Sequence, residues 1–183
     1  MSIHYYCNSY KGEPTVDIAQ HLGKIEEMCE GAGFVLEIGC GAGNGSTRAI
    51  QAALEKTQGF RLHVSVDADP YQPRYERPDV AWWWKVQGDS REPETALRVL
   101  AIAGKMKADV IFIDTDHVYD VMQKELPLWA QFAHSGTVWL FHDTWMGGPY
   151  NHMTDAIKEF AVAEGWVYTD LSTSSHGLGM MRR

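Results

Sequence analysis

Val35-Leu-Glu-Ile-Gly-Cys-Gly-Ala-Gly-Asn-Gly-Ser-Thr47 carries a short apolar run into glycines at every second position, 39, 41, 43 and 45, and then into a segment of helical composition. Such a stretch encodes a buried strand, a tight turn and a helix. Glycine lets the backbone turn at positive φ and lets a ligand lie against the main chain. The dinucleotide fingerprint G-x-G-x-x-G would need its third glycine at 44 or 46, where Asn44 and Ser46 stand instead. Glu37, two residues before the first glycine, points the same way: a carboxylate beside this loop repels phosphate and attracts an ammonium or sulfonium group.

Outward from this loop the chain alternates. Upstream, Ile18, Leu22 and Ile25 to Met28 form an apolar stripe at helical spacing, ended by Gly31-Ala-Gly33. Downstream, strands are expected over Leu62–Val66, Val80–Val86, Val110–Ile113 and Thr137–Phe141, with two shorter ones over Trp166–Tyr168 and Gly179–Met181. Helices are expected over Thr47–Lys56, Glu92–Lys105, Val121–Phe132 and Met153–Ala163. The central strands are apolar on both faces, so they are buried on both sides. The fold class is therefore α/β, a doubly wound, mostly parallel seven-stranded sheet with helices on both faces. No repeat or linker divides the chain, and a single domain over 1–183 is expected, with a helical segment at 1–32 and the core at 33–183.

Composition excludes several classes. Of 183 residues, 45% are hydrophobic and 22% charged, which suits a folded globular chain. A formal charge of −8 argues against a nucleic-acid binder, which needs a basic footprint. The most apolar stretch, Thr137 to Phe141, is far below the ~20 residues of a membrane span, so no membrane partner is expected. The opening MSIHYYCNSY lacks a signal-peptide pattern, and Cys7, Cys29 and Cys40 have neither disulfide nor zinc spacing; a cytoplasmic location with reduced thiols is expected.

In a doubly wound sheet the ligand crevice lies beyond the carboxyl ends of the strands. Asp67 ends the second strand, where a carboxylate can accept ribose hydroxyls, although Asp67-Ala-Asp-Pro70 also suits a helix N-cap. Asp89 and Ser90 follow the third strand, as crevice groups or as caps of the next helix. Asp114 and His117 follow the fourth strand, and His142-Asp143 the fifth. Adjacent strands lie ~4.8 Å apart, so Asp114 and Asp143 can face one another and share a cation such as Mg²⁺ or Mn²⁺, or else cap the following segments. His117 overlooks the same place and is suited to taking a proton from a hydroxyl. Trp82-Trp-Trp84 is expected to pack at least one face into the core. Trp145, Tyr150 and His152 are candidates for one wall of an acceptor pocket, with Gly147-Gly148 as hinges.

The acid, strand and alternating glycines resemble motif I, E-x-G-x-G-x-G, of the class I S-adenosylmethionine (SAM)-dependent methyltransferases. The segments I-D-x-D-H-x-Y at 113–119 and F-H-D-T at 141–144 narrow the resemblance to small members near the macrolide-sugar O-methyltransferases and cephalosporin-hydroxylase-like proteins. The resemblance spans about residues 33–160. It implies a Rossmann-like sheet and SAM bound by Glu37, Gly39, Gly41, Gly43, Ser46, Asp67, Asp89 and Ser90. It further implies that Asp114 and Asp143 hold Mg²⁺ and that His117 is the base. The family has an acid pair where this chain has His142-Asp143, so His142 is expected to replace one oxygen ligand, or Asp116 to stand in, or no metal to bind. The expected reaction is methyl transfer to a hydroxyl of a small-molecule or sugar-like acceptor. A metal-independent enzyme, a non-catalytic SAM- or nucleoside-binding module and an NAD-dependent oxidoreductase are the alternatives. The aromatic N-terminal segment, with Tyr5, Tyr6 and Tyr10, suggests a homodimer or a cover for the crevice.

Overall fold

The computed structural model describes residues 16–41, 43, 45–69, 80–146 and 152–183. Tyr5, Tyr6, Cys7, Tyr10, Asn44, Gly147, Gly148 and Tyr150 lie outside them.

Two helices, α1 (Val16–Ala19) and α2 (Leu22–Cys29), precede the first strand, β1 (Phe34–Ile38). Then follow α3 (Ser46–Lys56), β2 (Leu62–Asp67), β3 (Trp83–Gln87), α4 (Pro93–Ala103) and β4 (Val110–Ile113). Helix α5 (Tyr119–Trp129) ends in a 3-10 turn, and β5 (Val138–His142), α6 (Met153–Glu164), β6 (Val167–Ser172) and β7 (Leu178–Arg182) complete the chain. The seven strands lie in the order β3-β2-β1-β4-β5-β7-β6. Strands β1 to β5 run parallel, while β7 pairs antiparallel with both β5 and β6.

Alternation along β1 divides the core. Phe34, Leu36 and Ile38 join Val64, Val66, Ile111 and Phe141 beneath α4, α5 and α6. Val35 points the other way, with Val110, Phe112 and Leu140, toward α2 and α3. Each fully buried Leu, Ile or Phe contributes roughly 1.5–3 kcal/mol of transfer free energy, so both faces hold the sheet in place. The winding reverses between β1 and β4, and the carboxyl ends of all five parallel strands open on one edge there.

Three strands depart from expectation. Strand β3 starts at Trp83 and forms the sheet edge, so only Val86 of it is buried and Trp84 is 51% exposed. Trp83 instead stacks on His63 and donates Nε1–H to Ser65 Oγ, while Trp82 packs on the core partly buried. The last two strands are longer than their apolar cores suggested, because hairpin pairing extends them through polar residues.

Candidate active site

Three strand ends converge on Gly39. Its N–H donates to Val66 O and the next strand answers with Asp114 N–H to Ile38 O, both at 2.8 Å. Gly39 has φ +83°, and a Cβ there would stand 1.9 Å from the Asp114 carbonyl oxygen. Gly41 and Gly43 continue the loop at positive φ. Asp67 ties the loop to the end of β2: its Oδ2 accepts from Gly41 N–H at 2.7 Å and its Oδ1 from Asp69 N–H at 2.9 Å. Ala68 and Asp69, the described residues that follow Asp67, form a bend.

Glu37 and Ser46 require a correction. Glu37 is wholly buried, under the loop rather than in the crevice. It accepts hydrogen bonds from Ser46 Oγ at 2.7 Å, Thr47 Oγ1 at 2.9 Å and Ser65 Oγ at 2.7 Å, and pairs with His63 Nε2 at 3.0 Å. A residue within a strand points at a sheet face, not beyond the strand end. Glu37 therefore anchors the first turn of α3 to the sheet, and Ser46, 4% exposed, serves that anchor instead of touching a ligand.

A crevice of about 200 Å³ opens over the strand ends, lined in part by Gly39, Asp67, Asp89, Ser90, Asp114 and Thr115. Asp89 caps its own turn, accepting from the backbone and guanidinium of Arg91, which holds its carboxyl down at about 2. The helix begun by Pro93 takes no side-chain cap from Asp89 or Ser90. Behind the half-buried Ser90 and Thr115 lies Glu125, fully buried. Ser90 Oγ donates to Glu125 Oε1, and Thr115 Oγ1 to Oε2 at 2.7 Å. Burial pushes the Glu125 carboxyl up from its ordinary value, and the two hydroxyl donors act against it.

Beside the crevice the ends of β4 and β5 bring Asp114, His117, His142 and Asp143 together. His117 Nε2 lies 2.8 Å from Asp143 Oδ2 and 3.5 Å from Asp114 Oδ1. His142 Nδ1 lies 3.1 Å from Asp143 Oδ2 and 3.3 Å from Asp114 Oδ1. Burial disfavours the charged imidazoles, but the two carboxylates prevail and raise His117 to about 9 and His142 to about 10. Burial likewise opposes the charge of Asp143, and His117 and His142 outweigh it, holding that carboxyl well below its ordinary range. Two carboxylates thus face two imidazolium groups.

Among the described residues, the set able to surround a cation is Asp114, His117 and Asp143, with one ligand atom each lying within 4.8 Å of the others. His142, expected as the third ligand, turns Nδ1 to the carboxylates from a buried position and suits orienting them. Asp116, the other stand-in, is exposed outside the set. Two hard oxygens and one imidazole suit Mg²⁺ or Mn²⁺.

Sequence reasoning missed three groups here. Glu125 leaves a trace, a charge on the buried stripe Met122, Leu126, Trp129 of an amphipathic helix. His176 and His21 leave none. His176 Nδ1 stands 3.2 Å from Asp143 Oδ1, and His21 Nε2–H donates to Ser175 O at 3.1 Å, near the His142 ring. On the acceptor side, Trp145 is 54% exposed and donates Nε1–H to Asp170 at 3.0 Å, and His152 pairs with Asp155.

Residues 36–144 match the family described as a methyltransferase domain. No curated protein matches the chain in sequence. Among solved structures, a methyltransferase of Podospora anserina bound to S-adenosylhomocysteine is similar at 13% identity, with TM-score 0.66 over 98% of this chain and 85% of that one. The TDP-rhamnose 3'-O-methyltransferase of calicheamicin biosynthesis is similar at 16% identity, with TM-score 0.64 over 89% of this chain and 77% of that one. A methyltransferase of the mycinamycin pathway, in complex with Mg and S-adenosylhomocysteine, is 16% identical, with TM-score 0.62 over 90% of this chain and 49% of that one. At these identities the likeness is one of fold. The family match covers more than half of the chain, and the chain belongs to the methyltransferase-domain family.

Proposed function

We propose that this family member is a SAM-dependent O-methyltransferase whose acceptor is a hydroxyl of a small, sugar-like molecule. The observation that carries the cofactor half is the acidic crevice. Asp67, Asp89, Asp114 and Asp116 line it, and the one lining cation among the described residues, Arg91, is bound to Asp89. Such a wall suits a sulfonium and an ammonium and opposes a pyrophosphate, which argues against NAD. Bound there, SAM supplies the electrophilic methyl group. Asp67, Asp89 and Ser90 are the residues to hold its nucleoside, and Gly39 and Gly41 let the chain lie close to it.

The acceptor half rests on the Asp114–His117–Asp143 cluster, which borders the crevice. Asp114, Asp143 and His117 would hold Mg²⁺ or Mn²⁺, whose charge would lower the pKa of an acceptor hydroxyl. His142 and His176 would keep Asp143 turned toward that place. The charge balance of the cluster favours a second reading. Two imidazoles already face both aspartates, so methyl transfer without metal suits the same geometry: neutral His117 would take the proton of the acceptor hydroxyl as the methyl group arrives, and Asp143 would pair with the imidazolium so formed. In that case His117 must be neutral to act, and activity would rise toward pH 9.

Titration calorimetry of EDTA-stripped protein with SAM, NAD and Mg²⁺ tests both halves. Micromolar SAM binding without NAD binding supports the cofactor reading, and absence of SAM binding refutes it. Magnesium heat that vanishes in Asp114→Ala, Asp143→Ala supports the cation, and its absence in the unaltered protein leaves the histidine mechanism. Methylation of no hydroxyl acceptor, with SAM bound, would mark a binding module.

A further inference from the structure

We propose that Glu125 makes the crevice selective for a 6-amino purine by fixing which way the hydroxyls of Ser90 and Thr115 point. This rests on the SAM reading above and names the part of the ligand that these residues read. Ser90 follows β3 and Thr115 follows β4, and both residues line the crevice. Glu125 has no exposed surface and stands behind both. Each carboxylate oxygen accepts from one hydroxyl, Oε1 from Ser90 and Oε2 from Thr115, so both hydroxyl protons are turned inward. The Ser90 carbonyl is occupied as well, accepting from Trp129 Nε1–H at 3.0 Å. What the two hydroxyls offer to the crevice is then lone pairs alone. Lone pairs suit the exocyclic amino group of adenine, a donor, and oppose a carbonyl oxygen at the same ring position. Glu125 itself touches no ligand; it is a positioning residue.

The discriminating probe is S-inosylhomocysteine, which carries a carbonyl oxygen where S-adenosylhomocysteine carries its amino group. Calorimetry of the full chain should show the adenosyl ligand binding about ten- to a hundredfold more tightly, the range set by an unmatched buried polar group. Glu125→Gln keeps the shape but adds a donor. Its amide must donate to one of the hydroxyls, whose own proton then swings into the crevice. The expected result is that the ratio of the two affinities falls at least about fivefold, a change that a merely structural loss of affinity for both ligands would not produce. Should Glu125→Gln fail to fold, Ser90→Ala and Thr115→Val must lower the same ratio. A ratio unchanged in the variants overturns the assignment of Glu125, as does equal binding of both ligands by the unaltered protein. Binding of neither ligand to the unaltered protein refutes the SAM reading instead, and this inference with it.

Discussion

Replacing Gly39 by alanine tests how closely the ends of β1 and β4 approach. Two costs add at this position. A residue with a Cβ pays about 1–2 kcal/mol to sit in left-handed backbone, and Gly39 has φ +83°. The new methyl would also stand 1.9 Å from the Asp114 carbonyl oxygen and 2.6 Å from its carbonyl carbon. That obstacle is backbone, held by the bond from Asp114 N–H to Ile38 O, and cannot swing aside as a side chain would. Overpacking of this kind costs typically about 1–3 kcal/mol. Gly39→Ala should therefore lose about 2–5 kcal/mol in all, on the order of 10 °C in Tm for a chain of this size. Gly41→Ala is the internal control. It shares the positive φ, at +50°, but a Cβ there meets nothing within 4 Å. Its loss should be about 1–2 kcal/mol, the backbone part alone. Urea unfolding of both variants, followed by circular dichroism, reads the difference. Because the clash displaces Asp114, Gly39→Ala should also weaken Mn²⁺ binding, while Gly41→Ala should not. Equal stabilities for the two variants would refute the close approach, and with it the coupling of the glycine loop to the aspartate cluster.

Glu37→Ala should cost about 3–5 kcal/mol, because it strands His63 and three hydroxyls in a dry site; a urea midpoint within 1 kcal/mol of the parent would contradict the anchor. His117 and His142 bind protons more tightly folded than unfolded, since their values rise from 6.5 to about 9 and about 10. Their stabilisation is complete below about pH 6.5 and drains away as pH climbs through 9 to 10; the urea midpoint of EDTA-treated protein should fall over that window, and should not in His117→Asn, His142→Asn. His176→Ala, a half-exposed change, should leave the urea midpoint nearly unaltered yet weaken Mn²⁺ binding about tenfold, since it removes the partner that orients Asp143; unchanged Mn²⁺ affinity by calorimetry would rule that partner out.

Parallel topology explains why so much of the site could be read in advance. Once alternation and apolar runs place β1, β2, β4 and β5, the residues just past them must open on one edge, and Asp67, Asp114, His117 and Asp143 do. Glu37 misled because it lies inside β1, where pleating turns it to the α3 face, and its polarity is consumed by Ser46, Thr47, Ser65 and His63. The WWW run was legible as a strand against the core, but not as to its place in the sheet. Aromatic content marks a strand without saying whether that strand is central or at an edge, and β3 is at the edge. His117 stands in the cation set where His142 was expected, because spacing tells that both are near Asp143, not how each imidazole meets the carboxylates.

What no spacing rule reaches is the contribution of the C-terminal hairpin. Because β7 inserts antiparallel beside β5, the β6–β7 connection is delivered to the carboxyl end of β5, where the cluster is. There it fastens the turn after β5 from outside: Asp143 N–H donates to Gly177 O at 3.1 Å and Trp145 N–H to His176 O at 2.5 Å. All three non-glycine residues with positive φ among those described, Asp143, Ser175 and His176, lie in this one contact. Backbone of that kind costs of order 1–3 kcal/mol per residue and persists only where its surroundings over-determine it. Here the two strained turns hold each other, and Gly177 completes the fit, since a Cβ there would meet Thr144 Oγ1 and Trp145 N at 2.7 Å. The strain is spent on aiming the Asp143 carboxylate, with one oxygen toward His117 and His142 and the other toward His176. An aspartate at the end of a strand would otherwise rotate freely in solvent, and a site that must present a fixed oxygen to a cation or an imidazolium has reason to bear that cost.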